Sequence, residues 1–180
     1  GCLPHNRRMT RTRILLATLA LLAFGCAGTA SITPGIAGAT FIVVRHAEKA
    51  TTPSDDPGLA PAGQERAARL ARMFEGADLV AVYATGYRRT SDTVQPAARR
   101  HALEPQTYDA RIAAEAFAAQ LAARHPTGTV LIAGHSNTVP DIVAALCDCA
   151  TAAMDEDEYD RISIVRFDAA GRPALEIALY

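Results

Sequence analysis

The chain has 180 residues, 49% of them apolar and 21% charged, which suits one domain with a sizeable core and excludes an intrinsically disordered or fibrous protein. Its 18 Lys and Arg stand against 19 Asp and Glu, so no basic excess points to nucleic acid or to an anionic membrane surface as a partner. Lys49 is the one lysine, and that bias is read as composition, not function.

In chain order, residues 1–8 read as an upstream extension ahead of a start at Met9. Arg11 and Arg13 form a positive n-region and residues 14–24 an uncharged apolar run. This is the pattern of a signal peptide, and it is shorter than the roughly 20 apolar residues that span a bilayer. Gly28-Thr29-Ala30 before Ser31 suits signal peptidase; the alternative is a bacterial lipoprotein with a lipid anchor at Cys26. The expectation is an exported protein, periplasmic or anchored to the membrane. Residues 1–30 are thus extension plus signal peptide, 31–39 a linker containing Gly and Pro, and 40–180 the folded domain. Without the arginines of residues 1–30 the domain is mildly acidic, so an anion site in it must gather positive charge locally.

Residues 41–44, FIVV, have the length of a buried strand and run straight into Arg45 and His46. A loop rich in Pro, Asp and Gly follows at 51–58. Pro61 opens a helix to about residue 74, with Ala67, Leu70, Ala71 and Phe74 on one face. A second strand lies within 78–84, a helix over 88–101, a short strand or turn at 106–108, and an amphipathic helix over 111–124 closed by His125-Pro126 and Gly128. Residues 129–133, TVLIA, are the third clear strand, and 140–146 the fourth helix. Cys147-Asp148-Cys149 reads as two small residues near a helix end, with a tight disulfide or a metal-ligand pair as alternatives. The acidic run 155–160 reads as a solvated loop, with a place bordering the pocket as the alternative, and strands over 162–167 and 175–179 form an antiparallel hairpin at one edge. Strands alternating with helices predict a three-layer α/β/α sandwich with a mostly parallel central sheet.

In such sheets ligands bind beyond the carboxyl ends of the strands, so what each strand delivers there matters. The first delivers Arg45 and His46, the second Arg88 and Arg89, the third His135, Ser136 and Asn137. A lone His after an apolar run is more often structural, but two His with arginines at one edge make a reactive set. Two guanidinium forks suit a phosphoryl dianion. A neutral imidazole is nucleophilic and forms covalent intermediates; attack on phosphorus gives a phosphohistidine. Its other ring nitrogen should donate to a backbone carbonyl, which fixes the tautomer and aims the attacking atom. No metal or other cofactor is required.

Arg45-His46-Ala47 resembles the Arg-His-Gly signature of the histidine phosphatase superfamily, which has the phosphoglycerate mutase-like fold. LAPAGQERA (59–67), YATGYRRTSDTV (83–94) and VLIAGHSNTV (130–139) are similar to three further motifs of that family, in its order. The resemblance implies that His46 is the phosphorylated nucleophile, Arg45 and Arg89 bind phosphate, and His135 stabilises the transferring group. Arg88 is then a solvated neighbour, and Asn137 either reaches the pocket or caps a helix. Ala47 in place of Gly, Ala60 in place of Thr or Ser and Asp92 in place of Gln depart from the pattern without removing a pocket charge. For the acid that protonates the leaving group, Glu115 has the spacing seen in longer relatives and Glu48 follows the nucleophile by two residues; Asp109 is a further rival.

The resemblance implies a phosphomonoester hydrolase of the histidine phosphatase type, acting on small-molecule or protein phosphomonoesters. The rivals are a phosphotransferase or phosphoglycerate mutase of the same fold, and a non-catalytic phospholigand-binding surface protein. Little sequence between the motifs is left for a lid, which favours access of water. Substrate selectivity is expected in the loops 51–58 and 154–160.

Overall fold

The computed structural model describes Gly1 and residues 37–180. The chain divides into two units, Gly1–Ile32 and Thr33–Tyr180; the extension, the signal peptide and Cys26 lie outside the described residues. The second unit runs β1 (Thr40–Arg45), α1 (Pro61–Met73), β2 (Leu79–Thr85), α2 (Arg88–Arg100), β3 (Gln106–Tyr108), α3 (Ala114–Arg124), β4 (Thr129–Gly134), α4 (Val139–Cys147), β5 (Arg161–Phe167) and β6 (Pro173–Leu179). One sheet takes all six strands in the order β3-β2-β4-β1-β5-β6. Strands β3, β2, β4 and β1 are parallel, and β5 and β6 add antiparallel at one side.

The period-2 alternation of strand side chains sorts the core into two layers. Phe41, Val43, Val130 and Ile132 pack with Phe117 and Leu121 of α3 and Ile142, Val143 and Leu146 of α4. Val44, Val82, Leu131 and Ala133 face the other way, onto Leu70 and Phe74 behind α1 and Val94 and Ala97 of α2. Each fully buried large side chain contributes about 1.5–3 kcal/mol, and β1 and β4 are buried on both faces. The strands that lead to His46 and His135 are therefore among the most deeply buried of the sheet. Among the described residues no helix is long and apolar enough to cross a membrane.

Two local readings are corrected. The third helix begins at Ala114, not 111, because the Asp109 carboxylate accepts the Arg111 backbone N–H at 3.0 Å and holds that residue in a turn. Cys147 and Cys149 are joined in a disulfide, and Asp148 between them adopts the left-handed conformation that caps α4.

Helix α1 packs tightly on the segment after β1. The Glu48 carbonyl accepts the Ala60 N–H at 2.8 Å, and a Cβ built on Gly63 would lie 2.3 Å from that carbonyl oxygen. Gly63→Ala is expected to destabilise the domain by roughly 1–3 kcal/mol, the range for overpacking. Denaturant unfolding checks this; an unchanged midpoint would contradict the close approach.

Candidate active site

Register brings the two histidines together. Arg45, the last residue of β1, lies opposite Gly134, the last of β4, and the His46 N–H donates to the Gly134 carbonyl at 2.9 Å. The next residue of each chain segment is then His46 or His135, and their ring centroids are 5.4 Å apart, edge to face. Strand β2, on the other side of β4, ends in Thr85, and the turn beyond it places Tyr87 and Arg89. Arg45, His46, Arg89 and His135 line one cavity of about 340 Å³, with Lys49, Tyr87, Arg111, Ser136, Asn137 and Glu156 at its walls and mouth.

His46 is buried, and its Nδ1 lies 2.8 Å from the Ala47 carbonyl oxygen. A carbonyl only accepts, so Nδ1 carries the proton and Nε2 keeps its lone pair. Ala47 is accommodated with its Cβ packed against Leu59 and Ala67, its N–H donating to Thr93 Oγ1 at 2.9 Å. His135 is oriented from behind: its Nε2 is 3.0 Å from Thr85 Oγ1, which is 2.8 Å from Thr90 Oγ1. With Thr85 on Nε2, Nδ1 is the nitrogen left to meet a ligand oxygen.

Each arginine is packed on a tyrosine. The Arg45 guanidinium carbon lies 4.3 Å from the Tyr159 ring centroid, and that of Arg89 lies 4.2 Å from Tyr87. Arg45 Nη1 donates to the carbonyls of Asp155 at 2.9 Å and Glu158 at 3.3 Å, and its Nη2 meets Glu156 Oε2 at 3.0 Å. Arg89 is 3.9 Å from Asp56 of the 51–58 loop. The Nε atoms of both arginines are buried and, among the described residues, bonded to no acceptor, a costly arrangement unless an anion serves them.

Burial pushes the His46 pKa down to about 4; its hydrogen bond to Ala47 opposes the shift, and Arg45, Arg89 and His135 reinforce it. Burial also takes His135 to about 4, reinforced by Arg89 and Arg45 and opposed by Glu156. Both imidazoles are therefore neutral at pH 7. NMR titration is expected to give ring midpoints near about 4 in place of the ordinary 6.5; a midpoint near 6.5 would contradict the buried, cation-flanked geometry. Because the unfolded chain takes up these protons first, stability should fall as pH drops from 6.5 towards about 4.

The structure thus gathers His46, His135, Arg45 and Arg89 and leaves out the carboxylates expected as the acid. Glu48 is turned onto α1, where Arg66 grips it through Nη2 at 2.7 Å and Nε at 3.0 Å; Arg66 holds its pKa below the usual range, the reverse of what a proton donor needs. Glu115 is exposed in the first turn of α3 and borders a separate depression with Asp141 and Asp148. Asp109 is exposed and paired with Arg111 at 3.2 Å. Arg88 lines another depression with Asp92 and Arg99, so Arg89 is the pocket arginine. Thr138, not Asn137, is the N-cap residue of α4, and Asn137 reaches the cavity wall. The acidic loop takes the alternative place, bordering the pocket: it folds back on Arg45, and Glu156 enters the site. Thr85, Tyr87, Tyr159 and Glu156 were not legible as site residues. Only the two aromatic positions beside charged runs carried a signal. Among the described residues no group of three or more His, Cys, Asp or Glu gathers as a metal site would.

The sequence profile of the histidine phosphatase superfamily (branch 1) matches residues 41–113, a span that holds Arg45, His46 and Arg89 and stops short of His135. No curated protein sequence matches the chain. Among solved structures, the protein histidine phosphatase SixA complexed with tungstate is similar at 18% identity and a TM-score of 0.61, over 78% of this chain and 96% of that one. YhfR of Bacillus stearothermophilus is similar at 17% identity and a TM-score of 0.61, over 78% and 96%. A mycobacterial glucosyl-3-phosphoglycerate phosphatase follows at 12% identity and a TM-score of 0.60, over 78% and 97%. Identities this low speak for the fold, which is phosphoglycerate mutase-like. The profile match over residues 41–113 and that fold make the chain similar to the histidine phosphatase superfamily.

Proposed function

We propose that this protein is a phosphomonoester hydrolase that works through a phosphohistidine on His46. The observation that carries the reading is the fixed tautomer: Nδ1 bonded to the Ala47 carbonyl leaves a neutral, unprotonated Nε2 in a cavity lined by two arginines. In the first step Nε2 attacks phosphorus, the N–P bond forms and the bond to the leaving oxygen breaks. Arg45, Arg89 and the free nitrogen of His135 hold the phosphoryl oxygens as charge spreads over them. In the second step water attacks phosphorus, the N–P bond breaks and orthophosphate leaves. The leaving oxygen takes its proton from solvent, because Glu48, Glu115 and Asp109 do not reach the cavity and Glu156 is held ionised by Ser136 and Arg45.

Phosphatase activity in two neighbours, against protein phosphohistidine and glucosyl-3-phosphoglycerate by their names, supports hydrolysis as the chemistry. The open mouth supports water, not a sugar or acid, as the acceptor. The test is phosphate release from a panel of phosphorylated sugars, nucleotides, amino acids and lipid head groups, with and without a chelator. Release that persists in chelator is expected. Transfer to an added alcohol with little free phosphate would favour a transferase, and ligand binding without turnover a binding protein. Export also belongs to the reading, with residues 9–30 as the leader and Cys26 as the alternative lipidation site; the mass of the mature N-terminal peptide decides between them.

A further inference from the structure

The one carboxylate among the cavity-lining residues sits where a phosphate oxygen would be wanted. Glu156 Oε2 lies 3.0 Å from Arg45 Nη2, and Ser136 Oγ donates to Glu156 Oε1 at 2.5 Å. The two side chains are unlike in burial: Arg45 is 3% exposed and Glu156 85%. Arg45 is thus fixed, by the carbonyls of residues 155 and 158 on Nη1 and by the ring of Tyr159 on its face. Among the described residues Glu156 is tethered only by Ser136 and Arg45, and its side chain stands in solvent.

We infer that Glu156 is an internal counter-anion that competes with the phosphoryl group for Arg45, weakening phosphate binding and hastening product release. The inference rests on the phosphatase reading above. Arg45 has Nη1 committed to backbone carbonyls and, among the described residues, Nε without an acceptor, so a ligand that bridges Nε and Nη2 must share Nη2 with Glu156 or take it. A bound dianion then repels the displaced carboxylate, which remains at the mouth. As orthophosphate leaves, the carboxylate returns to Nη2 and blocks immediate rebinding. Nothing about this exchange favours one leaving group over another. It scales the affinity of every anion, product included, and so sets the concentration at which the enzyme is inhibited by its own phosphate.

The test is calorimetric titration of orthophosphate and of tungstate into wild type, Glu156→Gln, Glu156→Ala and Asp157→Asn at pH 7. Asp157 is exposed on the same loop and does not line the cavity, so it reports the effect of loop charge alone. Removing a unit charge a few ångströms from the ligand near a protein surface corresponds to about fivefold or more. Both Glu156 variants are expected to bind each anion about fivefold more tightly, while Asp157→Asn stays within about twofold of wild type. In turnover, KM and the inhibition constant of phosphate should fall together, with kcat on an aryl phosphate unchanged or lowered as product release slows. Equal affinity in wild type and both Glu156 variants would overturn the inference, as would an equal gain in Asp157→Asn. A loss of kcat confined to alkyl phosphates would overturn it in favour of Glu156 as a proton donor. If wild type binds the anions and only the gain is missing, the phosphatase reading stands; if no variant binds either anion, that reading falls and the inference with it.

Discussion

His46→Ala is expected to lower kcat by at least about 10⁴-fold and to abolish any covalent phosphoenzyme. The size follows from the role: a nucleophile that forms the bond to phosphorus has no substitute in the cavity, and losses of about 10⁴ to 10⁶ are typical when such a group is removed. His135 is already committed: its Nε2 is engaged by Thr85 and its Nδ1 serves a phosphoryl oxygen. The fold should survive, since the His46 ring makes one hydrogen bond, to the adjacent carbonyl, and contributes no bond between elements. Thermal unfolding within a few degrees of wild type, with turnover lost, would separate chemistry from stability. Retention of more than about one per cent of kcat would mean that another group attacks phosphorus.

Arg89→Ala should reduce kcat/KM by about 10² to 10³, or roughly 3–4 kcal/mol, the usual loss for one preorganised donor aimed at developing charge. Its Nε is buried and meets no acceptor among the described residues, and its face is stacked on Tyr87. The side chain is therefore held ready without an internal partner of its own at hydrogen-bond distance; Asp56 stands off at 3.9 Å. Arg89→Lys should recover only part of the loss, because an ammonium cannot offer the planar fork. Arg88→Ala is the control and should stay within about threefold, as its side chain borders a separate depression. A larger effect at Arg88 than at Arg89 would show that the turn after β2 presents its arginines in the other register.

Much of this was legible in the sequence. The apolar runs 41–44 and 129–133 are buried on both faces, and such strands have one place in an α/β sheet, at its centre. Once they are neighbours and parallel, Arg45-His46 and His135 must emerge at the same edge. The face of the first helix followed from the positions of Ala67, Leu70, Ala71 and Phe74, all of which are buried. What failed was whatever depends on a loop returning across the edge. Glu48 has a sequence position beside the nucleophile, but its partner, Arg66, lies 18 residues away on a helix whose packing angle no local pattern gives. Glu156 lies 111 residues from Arg45, and an acidic run reads as solvated unless a buried cation is known to wait for it. The start of α3 turned on a single Asp109 side chain competing for a backbone N–H. Cys147 and Cys149 read equally well as small residues at a helix end until the left-handed Asp148 brings them together.

That His46 is a nucleophile, and not only a phosphate ligand, is the central claim. Wild-type enzyme mixed with a phosphorylated substrate, quenched within milliseconds in alkali and digested, should yield a single phosphorylated peptide containing residues 41–50, with the phosphate on His46, stable to base and lost in acid. Phosphate mapped to any other residue, or turnover at full rate with no phosphorylated peptide at any quench time, would contradict it.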